Sequence, residues 1–220
     1  MLYDVSADRF IGYNSERANQ RFTPASTFKI ANSLIGLASG AVKDVDEILP
    51  YGGKPQFLKT WENDMSLRDA IKISNVPIYQ ELARRIGPQK MQENLIKLDY
   101  GNKNIGNIID TFWLQGPIKI SAIEQAYFLS KLAKNKLPFP TEMQRQVRDI
   151  TIFEEKGDKV LHAKTGWTTA SNPGIGWWVG WVAHGEKIYC FALNIDMDDI
   201  EDANKRIDIG KASLKLLNIY

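Results

Sequence analysis

Cysteine and histidine are scarce in this sequence. Its 220 residues include one cysteine, Cys190, and two histidines, His162 and His184. One cysteine excludes an intrachain disulfide, and three such side chains cannot build a closed structural zinc site without carboxylates. A serine–histidine–aspartate triad would have to use one of the two histidines. We therefore expect no metal site and no catalytic role for histidine.

Long apolar runs and an excess of one charge are also absent. No stretch of 18 apolar residues occurs, so no transmembrane helix is expected. The residues Met1–Asp4 lack the basic and apolar regions of a secretion signal. The 28 basic and 26 acidic side chains leave a net charge of +2, which is a poor match to sequence-independent nucleic-acid binding. Neither nucleic acid nor membrane is expected as a partner, and the oligomeric state stays open.

The strand and helix patterns of the sequence predict one globular α+β domain. Strand patterns lie at both ends of the chain, and helical patterns lie between them. The predicted strands are a hairpin over Leu2–Tyr13 and the segments Lys159–Lys164, Ile175–Ala183 and Lys187–Asp196. Grouped strands and grouped helices favour an antiparallel sheet flanked by helices. We predict a single domain over 1–220, with an all-helical subdomain inserted at about 54–138.

The segment Ser26-Thr27-Phe28-Lys29 is the strongest candidate for chemistry. It follows Pro24, at the start of a helix predicted to run to about Gly40, and residues three apart share a helix face. Lys29 is the only charged residue between Thr27 and Val42, so burial should lower its pKa from about 10.4. A neutral amine beside a serine hydroxyl can take its proton. The alternative is a capping serine followed by a lysine that extends to solvent.

Three further segments carry weaker signals. Lys164-Thr165-Gly166 ends a predicted strand, where a lysine, a hydroxyl and an accessible backbone can bind a carboxylate. Ser74-Asn75-Val76 and Tyr100-Gly101-Asn102 lie at helix–loop junctions. Each of the three, taken alone, is explained by an ordinary turn or a helix cap.

Together these segments resemble the class D (OXA-type) serine β-lactamases, whose fold is shared with penicillin-binding proteins. The motifs come in the family's order and with similar spacing over nearly the whole chain. They are Ser26–Lys29, Ser74–Val76, Tyr100–Asn102, Trp113–Gly116 and Lys164–Gly166, with Trp177–Trp181 following the last. The sequence departs from the family at its start, where the family has a secretion signal and further helix and strand residues upstream of Leu2.

The resemblance implies a catalytic set of Ser26, Lys29, Ser74 and Trp113. Ser26 would form an acyl-enzyme with a β-lactam, and Lys29 would carry a CO2-derived carbamate as the general base. Trp113 would donate its indole N–H to that carbamate, and Ser74 would pass protons. No segment resembles the glutamate loop of class A enzymes, so one base would serve both half-reactions. The carbamate is a modification of Lys29, and no separate cofactor is implied.

The resemblance also implies how the substrate is held. Lys164, Thr165 and Arg206 would hold its carboxylate, and the backbone N–H groups of Ser26 and Trp167 would form an oxyanion hole. The implied substrate-binding residues are Val76, Leu114, Lys164, Thr165, Gly166, Trp167 and Arg206. Val76 and Leu114 would keep the base desolvated, while Tyr100 and Asn102 would border the site.

The implied function is hydrolysis of β-lactam antibiotics, with β-lactams as the small-molecule partner and antibiotic resistance as the outcome. The implied location is periplasmic or secreted. One alternative is a penicillin-sensing receptor domain, which is acylated but does not turn over. Another is a transpeptidase acting on cell-wall peptides, although the small size counts against it. The substrate profile, including carbapenem activity, does not follow from the sequence.

Overall fold

A computed structural model describes residues 1–220 and shows a six-stranded, fully antiparallel sheet. The strand order is β2-β1-β6-β5-β4-β3. The strands are β1 (Leu2–Asp4), β2 (Arg9–Ile11), β3 (Ile152–Lys156), β4 (Lys159–Thr168), β5 (Ile175–His184) and β6 (Lys187–Asp196). Strands from both ends of the chain thus meet in one sheet, because β1 pairs with β6. The predicted α+β class and antiparallel sheet are confirmed.

The helices lie on both faces of this sheet. They are α1 (Ser15–Asn19), α2 (Lys29–Ala38), α3 (Leu67–Lys72), α4 (Val76–Ile86), α5 (Pro88–Leu98), α6 (Phe112–Gln115), α7 (Ala122–Ala133), α8 (Thr141–Ile150) and α9 (Lys205–Leu216). Six of them, α3 to α8, follow one another without an intervening strand. The boundaries of an inserted subdomain at about 54–138 stay a prediction. No helix has the length and apolar character needed to cross a membrane.

Strand β5 is apolar on both faces because helices cover both. Trp177, Val179 and Trp181 pack with the core that contains α2 and α7. Trp178 and Val182 pack on the opposite face with Leu214 of α9. A strand buried on both faces reads as a continuous apolar run, and alternation is lost.

Helix α2 is the central helix of the larger layer. Every residue from Lys29 to Leu37 is buried, as expected for a helix that is apolar nearly all round. Gly36 lets α4 approach closely, since an added Cβ would lie 2.7 Å from a methyl group of Leu82. The buried position of α2 carries Lys29 into the protein interior.

The structure differs from the sequence-based expectations in three places. Ser26 lies in a 3-10 turn, Ala25–Phe28, and the α-helix begins only at Lys29. Strand β4 continues to Thr168 rather than ending at Lys164. The short elements α1, α6 and β3 were not predicted, because four or five residues carry too little periodicity to stand out.

Candidate active site

Ser26 is presented by a tight turn with strained backbone. The preceding residue, Ala25, has a φ of 50°, a left-handed conformation that is uncommon outside glycine. The Thr27 amide donates to the Pro24 carbonyl oxygen at 3.2 Å and closes the turn. Ser26 itself stays half-buried while its neighbours Ala25 and Thr27 are buried. The turn therefore leaves one hydroxyl accessible in an otherwise closed segment.

Lys29 lies directly beneath that hydroxyl. Its Nζ is 2.8 Å from Ser26 Oγ, and the side chain is 0% exposed. Burial, with the nearby Lys164 cation, holds the pKa of Lys29 well below its ordinary value. No carboxylate forms an ion pair with it. Its Nζ lies over the Tyr79 ring, 5.3 Å from the ring centroid. Burial therefore favours the neutral form of the Lys29 amine, which is the form that can accept the serine proton.

Trp113 forms a dry wall beside this pair. Its ring stacks on Phe28, with centroids 5.5 Å apart, and it is completely buried. Its indole Nε1 has no hydrogen-bond partner. A buried N–H without an acceptor is rare in native proteins, and this one leaves a donor of the wall unused.

Ser74 and Lys164 form a second hydroxyl–amine pair. Lys164 Nζ donates to Ser74 Oγ at 2.9 Å and to the Thr165 carbonyl oxygen at 3.0 Å. Ser74 has a φ of 57°, just before Asn75, whose side chain caps α4. Burial, assisted by the Arg206 cation, lowers the pKa of Lys164 to about 7. Lys164 can therefore give or take a proton near neutral pH.

Gly166 brings strand β4 against the Ser26 turn. A Cβ added there would lie 2.9 Å from the Pro24 carbonyl oxygen and 3.2 Å from the Thr27 amide nitrogen. Both are backbone atoms, which cannot move aside as a flexible side chain can. Glycine is therefore required for the strand and the turn to form one wall of the site.

Arg206 reaches the same wall from the closing helix α9. Its guanidinium donates to the carbonyl oxygens of Gly166 and Ala203, and it is 9% exposed. Desolvation lowers its pKa, and it forms no ion pair. With Lys29 and Lys164 it makes a buried basic cluster without a counter-ion. Such a cluster attracts an anionic ligand.

The comparisons with known proteins agree on one family. Residues 3–215 match the model of the penicillin binding protein transpeptidase domain. β-Lactamase OXA-48 of Klebsiella pneumoniae is 46% identical, over 98% of this chain and 81% of its own. OXA-5 of Pseudomonas aeruginosa is 46% identical, over 84% and 71%. The crystal structure of FUS-1 (OXA-85), a class D β-lactamase from Fusobacterium nucleatum subsp. polymorphum, superposes with a TM-score of 0.97 at 51% identity, covering 99% of this chain and 91% of that one.

The chain belongs to the class D β-lactamases.

This class D chain brings together most of the residues predicted for its site. Ser26, Lys29, Ser74 and Lys164 are joined by direct hydrogen bonds in two pairs. The remaining members stand around them on α4, α6, β4 and α9: Val76, Trp113, Leu114, Thr165, Gly166, Trp167 and Arg206. Their individual roles stay predictions.

Tyr100 and Asn102 lie outside this group. Tyr100 is buried and packs edge-on against Phe28, with ring centroids 5.5 Å apart, so it supports the layer beneath Lys29. The exposed Asn102 bonds to the Pro117 carbonyl oxygen and the Lys119 amide. These bonds tie together two loops of the class D fold, and a role for the pair at the border of the site stays a prediction.

The two histidines and the cysteine make contacts outside the Ser26–Lys29 pair. His162 stacks on Trp181, and burial lowers its pKa to about 4, which keeps it neutral. His184 pairs with Asp158. Cys190 is buried, and burial raises the pKa of its thiol. None of the three bonds to Ser26 or Lys29.

Sequence reasoning missed three polar residues that shape this class D site. Thr27 Oγ1 donates to the Pro24 carbonyl oxygen at 2.7 Å, and Gln125 Nε2 donates to Thr27 Oγ1 at 2.8 Å. Thr168 Oγ1 donates to the Leu114 carbonyl oxygen at 2.7 Å, which ties the end of β4 to α6. The available signal was weak: Gln125 is a polar residue within the apolar helix α7, and such residues more often face solvent.

Proposed function

We propose that this chain hydrolyses β-lactams through an acyl-enzyme on Ser26, with a lysine carbamate at Lys29 as the base. β-Lactam hydrolysis is the reaction of its class. The observation that carries the assignment of residues is the 2.8 Å contact between Ser26 Oγ and the buried Lys29 Nζ. Nucleophile and base are within hydrogen-bond reach, which is the arrangement covalent catalysis requires.

Acylation would begin at Ser26. Its oxygen attacks the lactam carbonyl carbon while its proton leaves toward Lys29, and the C–N bond of the ring then breaks. The departing nitrogen needs a proton, and Ser74, bonded to Lys164, is placed to deliver one. A Lys164 pKa of about 7 lets that relay reload near neutral pH. The base then takes a proton from water as the water oxygen attacks the ester carbonyl carbon. The ester C–O bond breaks as that proton passes to Ser26 Oγ, and the product leaves as the ring-opened acid.

The residues around Lys29 fit a carbamate. A carbamate on Lys29 is anionic, so it would supply a counter-charge to Lys164 and Arg206, which have no carboxylate partner. It also offers an acceptor to the unpartnered Trp113 indole N–H. When present, it supplies a carboxylate-type base for both half-reactions. Trp113 and Phe28 exclude bulk water from Lys29, and that favours the neutral amine with which CO2 reacts.

The same basic cluster explains substrate binding in this proposal. β-Lactam antibiotics carry a carboxylate, and Lys164, Thr165 and Arg206 lie on one wall beside Ser26. The Lys164 ammonium and the Arg206 guanidinium provide charge-assisted donors for it. The proposal extends to biological context: the chain would act outside the cytoplasm and confer resistance to β-lactams.

The test is turnover of the chromogenic β-lactam nitrocefin, measured at an enzyme concentration well below the substrate concentration. Many turnovers per enzyme are expected. A single burst equal to the enzyme concentration would instead indicate the receptor-domain or the transpeptidase alternative.

A Ser26→Ala variant provides the matched control. It should bind no penicillin covalently, while mass spectrometry of the wild type should place the adduct on the peptide containing Ser26. An adduct on another serine would overturn the assignment.

A further inference from the structure

The turn that presents Ser26 does not hold its shape by local preference. Ala25 adopts a φ of 50°, which costs free energy for a residue with a Cβ and persists only when the surroundings enforce it. Such strain at a nucleophile is a reason to ask which groups enforce it. Two side chains are candidates: Thr27, which bonds to the start of the turn at Pro24, and Gln125, which bonds to Thr27.

Thr27 closes the turn twice. Its amide and its hydroxyl both donate to the Pro24 carbonyl oxygen, at 3.2 Å and 2.7 Å. The two bonds span Ala25 and Ser26 from the same acceptor. Since Thr27 is 2% exposed, water cannot replace either bond.

Gln125 fixes the Thr27 hydroxyl from the neighbouring helix. Its Nε2 donates to Thr27 Oγ1 at 2.8 Å, and this leaves the proton of the hydroxyl for the bond to the Pro24 carbonyl oxygen. Gln125 is 1% exposed. It lies one turn into α7, whose start is held by the reciprocal Ser121–Glu124 cap. The amide therefore comes from a rigid part of the fold.

Strand β4 packs directly against the turn. The backbone at Gly166 lies so close to Pro24 O and the Thr27 amide nitrogen that a Cβ would not fit. The turn is thus confined by β4 as well as by the Thr27–Gln125 pair. Loss of the Thr27 hydroxyl would remove one of these two constraints.

We propose that Thr27 and Gln125 are positioning residues that hold the strained Pro24–Thr27 turn and thereby aim Ser26 at the substrate carbonyl. The inference rests on the proposed function in that Ser26 is the nucleophile. Neither side chain touches the reacting atoms, so the loss should fall on the rate of acylation. Misplacing a reacting atom by about 1 Å costs on the order of 100-fold, so a tenfold to 100-fold slower acylation is expected.

The test compares Thr27→Val with Thr27→Ser. Valine keeps the shape and removes the hydroxyl, whereas serine keeps the hydroxyl. Rapid mixing with a fluorescent penicillin should show slow acylation with an unchanged substrate dissociation constant for Thr27→Val, and near wild-type acylation for Thr27→Ser. Equal rates for the two variants would overturn the proposal.

Thr151→Val is the matched control. The Thr151 hydroxyl is also buried and donates at 2.7 Å to the carbonyl oxygen three residues earlier, that of Arg148. Its loss should lower stability comparably without slowing acylation. Acylation slowed equally in both variants would mean that Thr27 acts only through general stability.

Gln125→Met tests the second member of the pair. If the two residues act as a unit, Gln125→Met combined with Thr27→Val should acylate no more slowly than Thr27→Val alone. Additive losses would contradict the coupling.

Hydrogen exchange in the peptide containing residues 24–29 separates this proposal from the proposed function. Exchange should be faster in Thr27→Val than in Thr27→Ser, whether or not a penicillin reacts. A wild type that takes no adduct would end the assignment of Ser26, while unchanged exchange in Thr27→Val would end the positioning role.

Discussion

At the scale of single residues, the site is built from groups that are unfavourable where they stand. Lys29 and Lys164 are buried amines without carboxylate partners, and Ala25 and Ser74 have positive φ angles. Each feature lowers the stability of the fold. Strained backbone and buried ionisable groups of this kind cluster at functional sites, because catalysis uses groups that a purely structural core would exclude.

Replacing the buried base should therefore stabilise the protein. Lys29→Met fills a similar volume without a charge to desolvate, and we expect an inactive enzyme that is more stable by about 1–2 kcal/mol near pH 7. Urea unfolding in CO2-depleted buffer measures the difference.

The pH dependence of that gain has a definite sign. The unfolded amine titrates near 10.4, whereas burial puts the folded pKa of Lys29 well below its ordinary value. Between those values the unfolded state binds a proton that the folded state does not, so wild-type stability rises with pH. The advantage of Lys29→Met should shrink from pH 7.5 to 9.5, and a constant advantage would contradict a neutral buried amine.

Activity should respond to pH through the same group. Only the neutral amine accepts a proton or reacts with CO2, so turnover should fall as acidification protonates Lys29. Added bicarbonate should partly restore it, because carbamate formation withdraws neutral amine from the protonation equilibrium. Initial rates with and without bicarbonate, together with carbon-13 NMR of labelled bicarbonate, check this. An active enzyme without a carbamate signal at alkaline pH would leave the free amine as the base.

At the scale of elements, the long helices and the strand-rich C-terminal third follow from the sequence. Several signals for these helices are present in the sequence: Pro77 and Pro88 lie at the starts of α4 and α5, and Gly87 ends α4. The Ser121–Glu124 capping box starts α7. The motifs also single out Ser26, Lys29, Ser74 and Lys164, which meet in two hydrogen-bonded pairs, while their roles stay predictions. What could not be predicted depends on tertiary contacts: the 3-10 turn at Ser26, the extension of β4 to Thr168, and the bond from Gln125 to Thr27.

The short helix α6 carries Trp113, and its contribution can be isolated. Trp113→Phe keeps an aromatic ring against Phe28 and removes the unpartnered indole N–H. We expect slower turnover that bicarbonate partly restores and an acyl-enzyme that accumulates, because deacylation needs the base to activate water. Single-turnover kinetics with mass spectrometry of the quenched enzyme measure both.

Trp178→Phe is the control for this change. The Trp178 indole N–H is also buried without a partner, but Trp178 lies on the α9 side of the sheet. It should lose stability without gaining dependence on bicarbonate. Equal bicarbonate dependence in the two variants would remove the special role of Trp113.

At the scale of the whole molecule, the fold collects distant segments into one charged wall. The chain carries a net charge of only +2. Eleven of its 28 lysines and arginines form ion pairs, all in partly or fully exposed positions where each pair contributes little. The site's basic groups without ion-pair partners come from α2, β4 and α9, and they share one region because β4 packs against the Ser26 turn and accepts a bond from Arg206. The proposed attraction of an anionic substrate rests on this arrangement and not on the overall charge.

Arg206 connects the last helix to that wall, and its removal should separate binding from chemistry. Arg206→Ala should raise KM for penicillins with a smaller change in kcat, since a charge-assisted contact is made in both the ground state and the transition state. The Arg206 cation contributes to the low pKa of Lys164, which is about 7. Loss of Arg206 should therefore raise the pKa of Lys164, and the pH dependence of the rate should shift upward with it. Lys205→Ala, at the exposed neighbouring residue that pairs with Asp202, should change neither quantity. Steady-state kinetics from pH 5.5 to 9 in the wild type, Arg206→Ala and Lys205→Ala measure both effects. An unchanged KM in Arg206→Ala would mean that Lys164 and Thr165 hold the carboxylate alone.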